Sequence, residues 1–198
     1  MKKAYFTLCS SLMVCALTFS ACSPGETEKK QAAQLKWEAG MRYQGKKMWG
    51  TAGPEDLKQA FLCFRTAANW GHTTAMVSLG NCYRLGEGVE QDLTQAVSWY
   101  RKAAEKGHEV GMFRLADCYR DGVGLKNDPA QAVLWYRRAA EGENAYGMEG
   151  LGDCYRNGIG VEKDLAQAIF WYRKAAEKGN SRAQKALDNL TKDVIRSF

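Results

Sequence analysis

The strongest constraint on the fold of this chain is a repeat with a period of 36 residues. The tripeptide Cys-Tyr-Arg begins at Cys82, Cys118 and Cys154. Trp-Tyr-Arg and a single Asp keep the same period, at Trp99, Trp135, Trp171 and at Asp92, Asp128, Asp164. The pattern continues upstream through residues 56–64 and, after a four-residue insertion, through 39–43. Four repeats of this length predict stacked supersecondary units that bury a core only against their neighbours.

Each repeat has the pattern of two helices. Ala75, Leu79 and Cys82 share one helical face in the first helix, and Gly86 marks its end. The second helix is predicted to start at an Asp N-cap that has Gln three positions later, at Asp56, Asp92, Asp128 and Asp164. After Gly179, residues 183 and 187 continue the first-helix pattern with a polar outer face, which is typical of a terminal cap.

These signals predict an all-α solenoid of antiparallel helix pairs. The expected repeats are 31–71, 72–107, 108–143 and 144–179, with a capping helix at 180–198. The buried Trp-Tyr stripe and the glycines at helix ends are predicted to be structural. Because no strand precedes the Gly-x-Gly pairs, they do not indicate phosphate loops.

The repeat residues resemble the Sel-one-like repeat family, a subclass of the tetratricopeptide-like helical repeats. The resemblance is carried by Leu151 to Val161 and by Asp164 to Gly179, and it weakens in the first repeat. It implies a right-handed superhelix that acts as an adaptor or scaffold for other proteins. Some exported, cysteine-rich members are linked to β-lactam binding or hydrolysis, so a cell-envelope hydrolase is an alternative.

The N-terminus has the layout of a secretory signal peptide over residues 1–21. Lys2 and Lys3 precede an uncharged apolar stretch, residues 4–19. Ser20-Ala21-Cys22 resembles the lipobox of bacterial lipoproteins, which implies a lipid on Cys22, a polar tether over 22–30 and a membrane anchor. Ser23 favours the outer membrane, facing the periplasm. The alternative is ordinary cleavage nearby, which would leave Cys22 as an unmodified thiol.

Composition limits the chemistry that the chain can perform. Without Lys2 and Lys3 the chain has 26 basic and 22 acidic residues. This small excess of positive charge is spread along the sequence, which argues against a nucleic-acid partner. Only two His are present, and no Ser is followed by Lys three positions later. We therefore predict no catalytic residue, no metal site and no small-molecule cofactor.

The repeated cysteines Cys82, Cys118 and Cys154 are expected to be buried thiols that fill space. One repeat separates them, which is too far for a convergent zinc site. Cys63 replaces the Trp of the following repeat, and a Cys63–Cys82 disulfide remains open because an exported protein meets an oxidising compartment.

A binding surface is predicted where the first helices vary between repeats, on the face opposite Leu79. Tetratricopeptide-like stacks line their concave groove with first helices, so we expect a peptide or protein partner there. The candidate residues are Trp37, Val77, Asn81, Arg84, Phe113, Asp117, Arg120, Glu149, Asp153 and Arg156. Two alternatives remain: the Asp–Arg pairs only solubilise the helices, or the protein is a structural spacer of the envelope.

Overall fold

The computed structural model describes residues 25–48, 51 and 53–196, and over these ranges it contains helices and no strand. The helices are α1 (Glu26–Met48), α2 (Pro54–Asn69), α3 (Thr73–Leu85), α4 (Leu93–Glu105), α5 (Glu109–Asp121), α6 (Pro129–Glu141), α7 (Ala145–Asn157), α8 (Leu165–Glu177) and α9 (Ser181–Arg196). The predicted all-α class is confirmed for this part of the chain. The predicted signal segment, residues 1–21, and Cys22 lie outside it.

Each helix packs against the next one along the chain, so the helices form a solenoid as predicted. The first helices of the repeats are α1, α3, α5 and α7, and the second helices are α2, α4, α6 and α8. Neighbouring first helices also touch, as α5 and α7 do. The last helix, α9, packs on α8, in the place that the sequence assigned to a cap. No helix of the described ranges is long and apolar enough to cross a membrane.

Aspartate N-caps start the second helices of the last three repeats. The side chains of Asp92, Asp128 and Asp164 accept hydrogen bonds from the backbone N–H three residues on, at 2.9–3.0 Å. The prediction was wrong for the first repeat, where α2 begins at Pro54 after the N-cap Gly53. Proline is favoured at the first helical position. Asp56 therefore lies in the first turn, where its carboxylate accepts from the Gly53 N–H at 3.1 Å.

The first helix begins within the segment expected to be a tether. α1 starts at Glu26, so residues 26–30 are helical. Glu26 and Glu28 occupy its first turn, where negative charge interacts favourably with the helix dipole. Glu26 also pairs with Lys30 at 2.8 Å, one turn further along.

One aromatic side chain per repeat lies at the centre of each helix pair. Phe64, Tyr100, Tyr136 and Tyr172 are fully buried. In three of the four pairs a glycine on the facing first helix allows this contact: a Cβ at Gly80, for example, would lie 2.5 Å from a ring carbon of Tyr100, and only the third pair has an alanine, Ala116, at this position. The predicted close approach at Gly80 is therefore confirmed, and the rings belong to the core.

The loop between the two helices of a repeat packs against the second helix of the preceding repeat. Gly124 has a φ of +71°, and a Cβ there would overlap the carbonyl group of Leu93, at the start of the preceding second helix. Only glycine fits both constraints. This contact keeps the third repeat stacked on the second.

Candidate functional site

Three of the predicted groove residues hold the buried tyrosines. Each accepts a hydrogen bond from the hydroxyl group of the tyrosine on its partner helix, in the pairs Tyr100–Asn81, Tyr136–Asp117 and Tyr172–Asp153, at 2.8, 2.6 and 2.5 Å. We call each pair a Tyr–Asx clasp. A buried hydroxyl without a partner costs about 1–3 kcal/mol, so the clasp has a structural purpose.

The first repeat supports this interpretation because it lacks both halves of the clasp. Phe64 takes the tyrosine position and Met41 takes the Asx position. The hydroxyl donor and its acceptor are therefore lost together. Variation at this position, which the sequence suggested was free to contact a partner, follows the identity of the buried ring instead.

The predicted row of arginines does not have one uniform role. Arg120 binds the Asp121 carboxylate with two hydrogen bonds, at 2.8 and 2.9 Å, and lies 3.5 Å from Asp117. The hydrogen bond from Arg120 holds the pKa of Asp121 below its usual range, whereas burial raises the pKa of Asp117. Arg156 lies close enough to Tyr172 to oppose the rise in the pKa of that phenol, which burial causes. Arg120 is thus engaged within the solenoid, whereas Arg156 makes no ion pair among the described residues.

Three further predicted residues contribute differently from expectation. Val77 is only 6% exposed, so the prediction that it lies on an open face was wrong; it packs into the core. The Glu149 carboxylate accepts from the side-chain amide of Asn180 at 2.7 Å. Trp37 is half-buried and stacks on His72 with ring centroids 5.2 Å apart, and its indole nitrogen is buried without a hydrogen-bond partner.

An aromatic pocket remains open over the first helices of the last two repeats. The Phe113 ring stacks on Tyr146 at a centroid distance of 5.6 Å, and Tyr146 is 54% exposed. The pocket has a volume of about 370 Å³. Its lining consists of Val110, Phe113, Arg114, Asn144, Tyr146 and Arg182.

A second pocket, of about 310 Å³, lies next to it between the second and third repeats. We call it the basic pocket, and its lining includes Arg84, Leu93, Tyr100, Arg114, Asp117 and Asp121. Arg114 lines both pockets. The two pockets together therefore form one surface, which we call the first-helix groove.

Arg114 and Tyr146 line the groove but were not among the predicted binding residues. The position of Arg114 lies on the variable face that the sequence indicated, where Glu38, Ser78 and Gly150 take its place in the other repeats. Tyr146 lies one helical turn before Glu149, outside the positions that were compared, although its equivalents, Thr74, Val110 and Arg182, also vary.

The remaining chemistry-bearing side chains have structural environments. Burial raises the pKa of the Cys118 thiol to about 11 and that of Cys154 to about 12, so neither is an activated nucleophile. Cys63 is a free thiol and therefore is not bonded to Cys82. Among the described residues, no group of three or more His, Cys, Asp or Glu side chains could hold a metal ion.

Both histidines cap the N-termini of first helices. The Nδ1 atom of His72 accepts from the Ala75 N–H at 3.2 Å, and that of His108 accepts from the Gly111 N–H at 3.4 Å. Asn144 and Asn180 do the same at the equivalent positions of the next helices. These rings are therefore committed to backbone hydrogen bonds.

Solved structures with the same fold are available for comparison. Over 81% of its length this chain is 40% identical to c5321, a protective antigen of uropathogenic Escherichia coli with an SLR fold, with a TM-score of 0.70. Over 82% it is 30% identical to a Sel1 repeat protein from Oxalobacter formigenes, with a TM-score of 0.66. The chain spans 35% of the first protein and 62% of the second. No curated protein sequence matches it.

The pattern of the Sel1 repeat matches four successive segments, residues 43–72, 73–108, 110–144 and 145–180. They cover most of the chain, including all lining residues of the two pockets except Arg182. Each segment contains the fully buried aromatic ring of one helix pair, at positions 64, 100, 136 and 172. On these grounds the chain belongs to the Sel1 repeat family, the Sel-one-like family that its sequence resembles.

Proposed function

We propose that this protein is an adaptor of the bacterial cell envelope that binds a segment of another protein in the first-helix groove. Sel1 repeat proteins are generally protein-interaction scaffolds. Binding of a partner in the groove, on the concave side of the solenoid, is the part that we propose for this chain. The proposal excludes Val77, which is buried, and adds Arg114 and Tyr146.

The observation that carries this proposal is the stacked pair Phe113 and Tyr146. Tyr146 is not needed to fill the core, because Tyr136 and Tyr172 already occupy the centres of these repeats, and Phe113 packs only at the edge of that core, against Tyr136. An exposed tyrosine stacked on a half-buried phenylalanine leaves apolar surface in contact with water. Aromatic side chains in pockets of this kind often dominate the binding energy of an interface.

The polar surroundings of the aromatic pocket suit a peptide backbone. Arg182 and Asn144 line the same pocket. The Asn144 oxygen accepts from the Gly147 N–H at 2.8 Å, which leaves its side-chain NH₂ group to donate to a carbonyl oxygen. An extended segment can therefore find apolar contacts and hydrogen-bond donors along one path.

We also propose that the protein is exported and anchored through a lipid on Cys22, in the outer membrane and facing the periplasm. The support is the sequence alone: a charged start, an apolar stretch and Ser20-Ala21-Cys22. Since α1 begins at Glu26, the anchor would be joined to the solenoid by only three residues. The solenoid would then stay close to the membrane surface.

The groove is tested by partner capture with three purified variants. Phe113→Ala and Tyr146→Ala should each weaken binding by about 1–3 kcal/mol, the usual range for an interface aromatic. Tyr146→Ala should leave the melting temperature nearly unchanged, whereas Phe113→Ala should lower it because the ring also packs on Tyr136. Lys102→Ala is the control, because Lys102 is exposed on a second helix and covers the Trp99 ring. If the control weakens capture and the two groove variants do not, the binding surface lies elsewhere.

The anchor is tested by Cys22→Ser in cells fed a labelled fatty acid. We expect the label and the membrane fraction of the protein to be lost together, since a thioether-linked lipid needs the thiol. Serine is close to cysteine in size, so the apolar stretch upstream is unchanged. Equal labelling and unchanged membrane retention in the variant would contradict the anchor.

A further inference from the structure

The basic pocket contains two arginines whose hydrogen-bonding capacity is not used. The Nε atoms of Arg84 and Arg114 are both buried without a hydrogen-bond partner. A buried N–H group without a partner costs about 1–3 kcal/mol. Trp37 Nε1 is a third such atom, and it lies outside this pocket. Two unsatisfied donors of one kind in one pocket therefore need an explanation.

The ion pairs within the solenoid do not satisfy these two guanidinium groups. Arg84 takes part in none of the ion pairs found among the described residues, although it lies close enough to Tyr100 to oppose the rise in the pKa of that phenol, which burial causes. Arg114 reaches Asp117 only at 3.9 Å, beyond hydrogen-bond distance, and lies over the Phe113 ring. Arg120, by contrast, is matched to Asp121 at 2.8 Å.

We propose that the basic pocket binds a single carboxylate group of the segment held in the first-helix groove, through Arg84 and Arg114. This inference rests on the proposed peptide groove and adds a chemical requirement to it. Because both Nε atoms are buried, the two side chains would turn toward the pocket on binding, and each would then present Nε–H and its neighbouring N–H as a planar fork that matches the two oxygens of a carboxylate. Arg114 lines both pockets, so the carboxylate would lie beside the aromatic pocket.

The charges that line the pocket favour a monoanion over a phosphate group. Arg84 and Arg114 each carry one positive charge, and Asp117 carries a negative charge at one edge. Asp121 is already neutralised by its two hydrogen bonds to Arg120. A dianion would meet the repulsion of Asp117 without a third unpaired cation to offset it. The apolar side of the lining, Leu93 and Val123, also suits a flat, weakly hydrated group.

Comparison between repeats shows that the basic pocket is particular to one junction. The position of Arg114 holds Ser78 in the second repeat and Gly150 in the fourth. At Gly150 a Cβ would lie 2.5 Å from a ring carbon of Tyr136, so no side chain fits there. The pairing of two unsatisfied arginines is therefore not a consequence of the repeat itself.

The carboxylate could come from an aspartate side chain or from the C-terminus of the partner, and four small probes separate these sources. N-acetyl-phenylalanine carries a terminal carboxylate, and N-acetyl-phenylalanine amide is its neutral twin. N-acetyl-Phe-Asp-amide carries a side-chain carboxylate, and N-acetyl-Phe-Asn-amide is its neutral twin. Each is titrated into the full-length protein in detergent while the arginine Nε–H signals are followed by nuclear magnetic resonance.

We expect at least one carboxylate probe, and neither neutral twin, to shift the signals of Arg84 and Arg114. Which carboxylate binds more tightly identifies the source. Arg84→Gln and Arg114→Gln should each weaken this binding about tenfold, because each removes one charge-assisted hydrogen-bond pair. Arg173→Gln, on the exposed face of α8, is the matched control and should change nothing.

Three results would overturn the proposal: equal binding of the neutral twins, unchanged affinity in both pocket variants, or tighter binding of inorganic phosphate than of either carboxylate. Helix content and melting temperature of each variant show whether it is folded, and Arg114→Lys keeps the charge if Arg114→Gln is unstable. If no carboxylate binds while Phe113→Ala still abolishes partner capture, the groove stands and the basic pocket fails. If the carboxylate probes bind but Phe113→Ala leaves partner capture unchanged, the basic pocket stands and the proposed groove fails.

Discussion

The first repeat and the three later repeats build the same helix pair from different residues. In each, a buried aromatic ring lies against the facing first helix, as Phe64 does at Gly40 and Tyr172 does at Gly152. Only the later repeats add a hydroxyl group and an Asn or Asp that accepts from it. The contact between glycine and ring is therefore common to the first, second and fourth repeats, whereas Ala116 takes the glycine position in the third, and the Tyr–Asx clasp is an addition.

This comparison also separates scaffold from site. A residue that varies between repeats can vary because its packing partner varies, as Met41 and Asn81 do with Phe64 and Tyr100. Tyr146 varies without any such partner, and the position of Arg114 is set by packing at Gly150, which lies against the Tyr136 ring. Variation carries information about binding only after the packing of each position is known.

The largest expected effect tests the shared glycine–ring contact in the first repeat. A Cβ at Gly40 would lie 2.5 Å from a ring carbon of Phe64, whereas nothing lies within 4 Å of a Cβ at Gly45 on the same helix. Gly40→Ala should lower the free energy of unfolding by about 1–3 kcal/mol through overpacking. Gly45→Ala should raise it by about 0.5–1 kcal/mol, since alanine favours helix. Denaturant unfolding of both variants would disprove the shared contact if they shifted in the same direction.

The next prediction concerns a variant in which the fourth repeat carries the residue pair of the first repeat. Tyr172→Phe removes the hydroxyl and leaves the Asp153 carboxylate without its donor, which should cost about 1–2 kcal/mol. The double variant Asp153→Met and Tyr172→Phe reproduces the Met41 and Phe64 pair. It should be more stable than the sum of its single changes by about 1 kcal/mol. Strict additivity in a double-mutant cycle would mean that the clasp is not a unit.

A smaller effect is expected at Glu143, which in the third repeat takes the position of the glycine that follows the other second helices. Glu143 has a φ of +61°, where Gly107 and Gly179 have +83° and +85°. A left-handed conformation costs a non-glycine residue about 1 kcal/mol. Glu143→Gly should therefore be more stable than Glu143→Ala by about 1 kcal/mol in thermal unfolding. Both variants lose the exposed ion pair to Lys178, so that loss cancels in the comparison.

The smallest expected effect concerns the N-caps of α3, α5, α7 and α9. The capping residues are His72 and His108 in the first two of these helices and Asn144 and Asn180 in the last two. Burial, and then the charge of His108, lowers the pKa of His72. The neutral ring, which accepts from the Ala75 N–H, is therefore favoured in the folded state. Its contribution is complete above the unfolded pKa of about 6.5 and is lost as the pH falls below that value.

Because His72 is partly exposed, this contribution should be about 0.5 kcal/mol or less. His72→Asn, the residue type of Asn144 and Asn180, should reduce the loss of stability between pH 7.5 and pH 5. The free energy of unfolding, measured at both pH values in the variant and in the parent, gives this loss for each protein. An identical pH dependence in the two proteins would show that His72 stays neutral or has no net role as a cap.

The sequence predicted the helix pairs well because its signals are local and repeated. Asp92 and Gly86 mark helix ends through hydrogen bonds to nearby residues, and four copies of the pattern remove most ambiguity. The start of α2 was predicted three residues late because Pro54 and Gly53 supplied a stronger local signal than Asp56. The insertion in the first repeat had also weakened the register there.

The candidate site was predicted less well because it depends on contacts between repeats. The burial of Val77 and the two hydrogen bonds between Arg120 and Asp121 follow from side-chain packing, which a helical wheel does not show. The unsatisfied Nε atoms of Arg84 and Arg114 depend on the fit of α3, α4 and α5. Periodicity locates a face of the solenoid, but it does not tell which polar groups on that face are already satisfied.

The central claim, that partners bind in the first-helix groove, is tested most directly by crosslinking in living cells. A photoreactive phenylalanine analogue at position 146 or at position 170 replaces two exposed aromatic residues, Tyr146 in the groove and Phe170 on a second helix. We predict a discrete crosslinked partner from position 146 that disappears with Phe113→Ala, and none from position 170. Crosslinking from position 170 but not from position 146 would contradict the account.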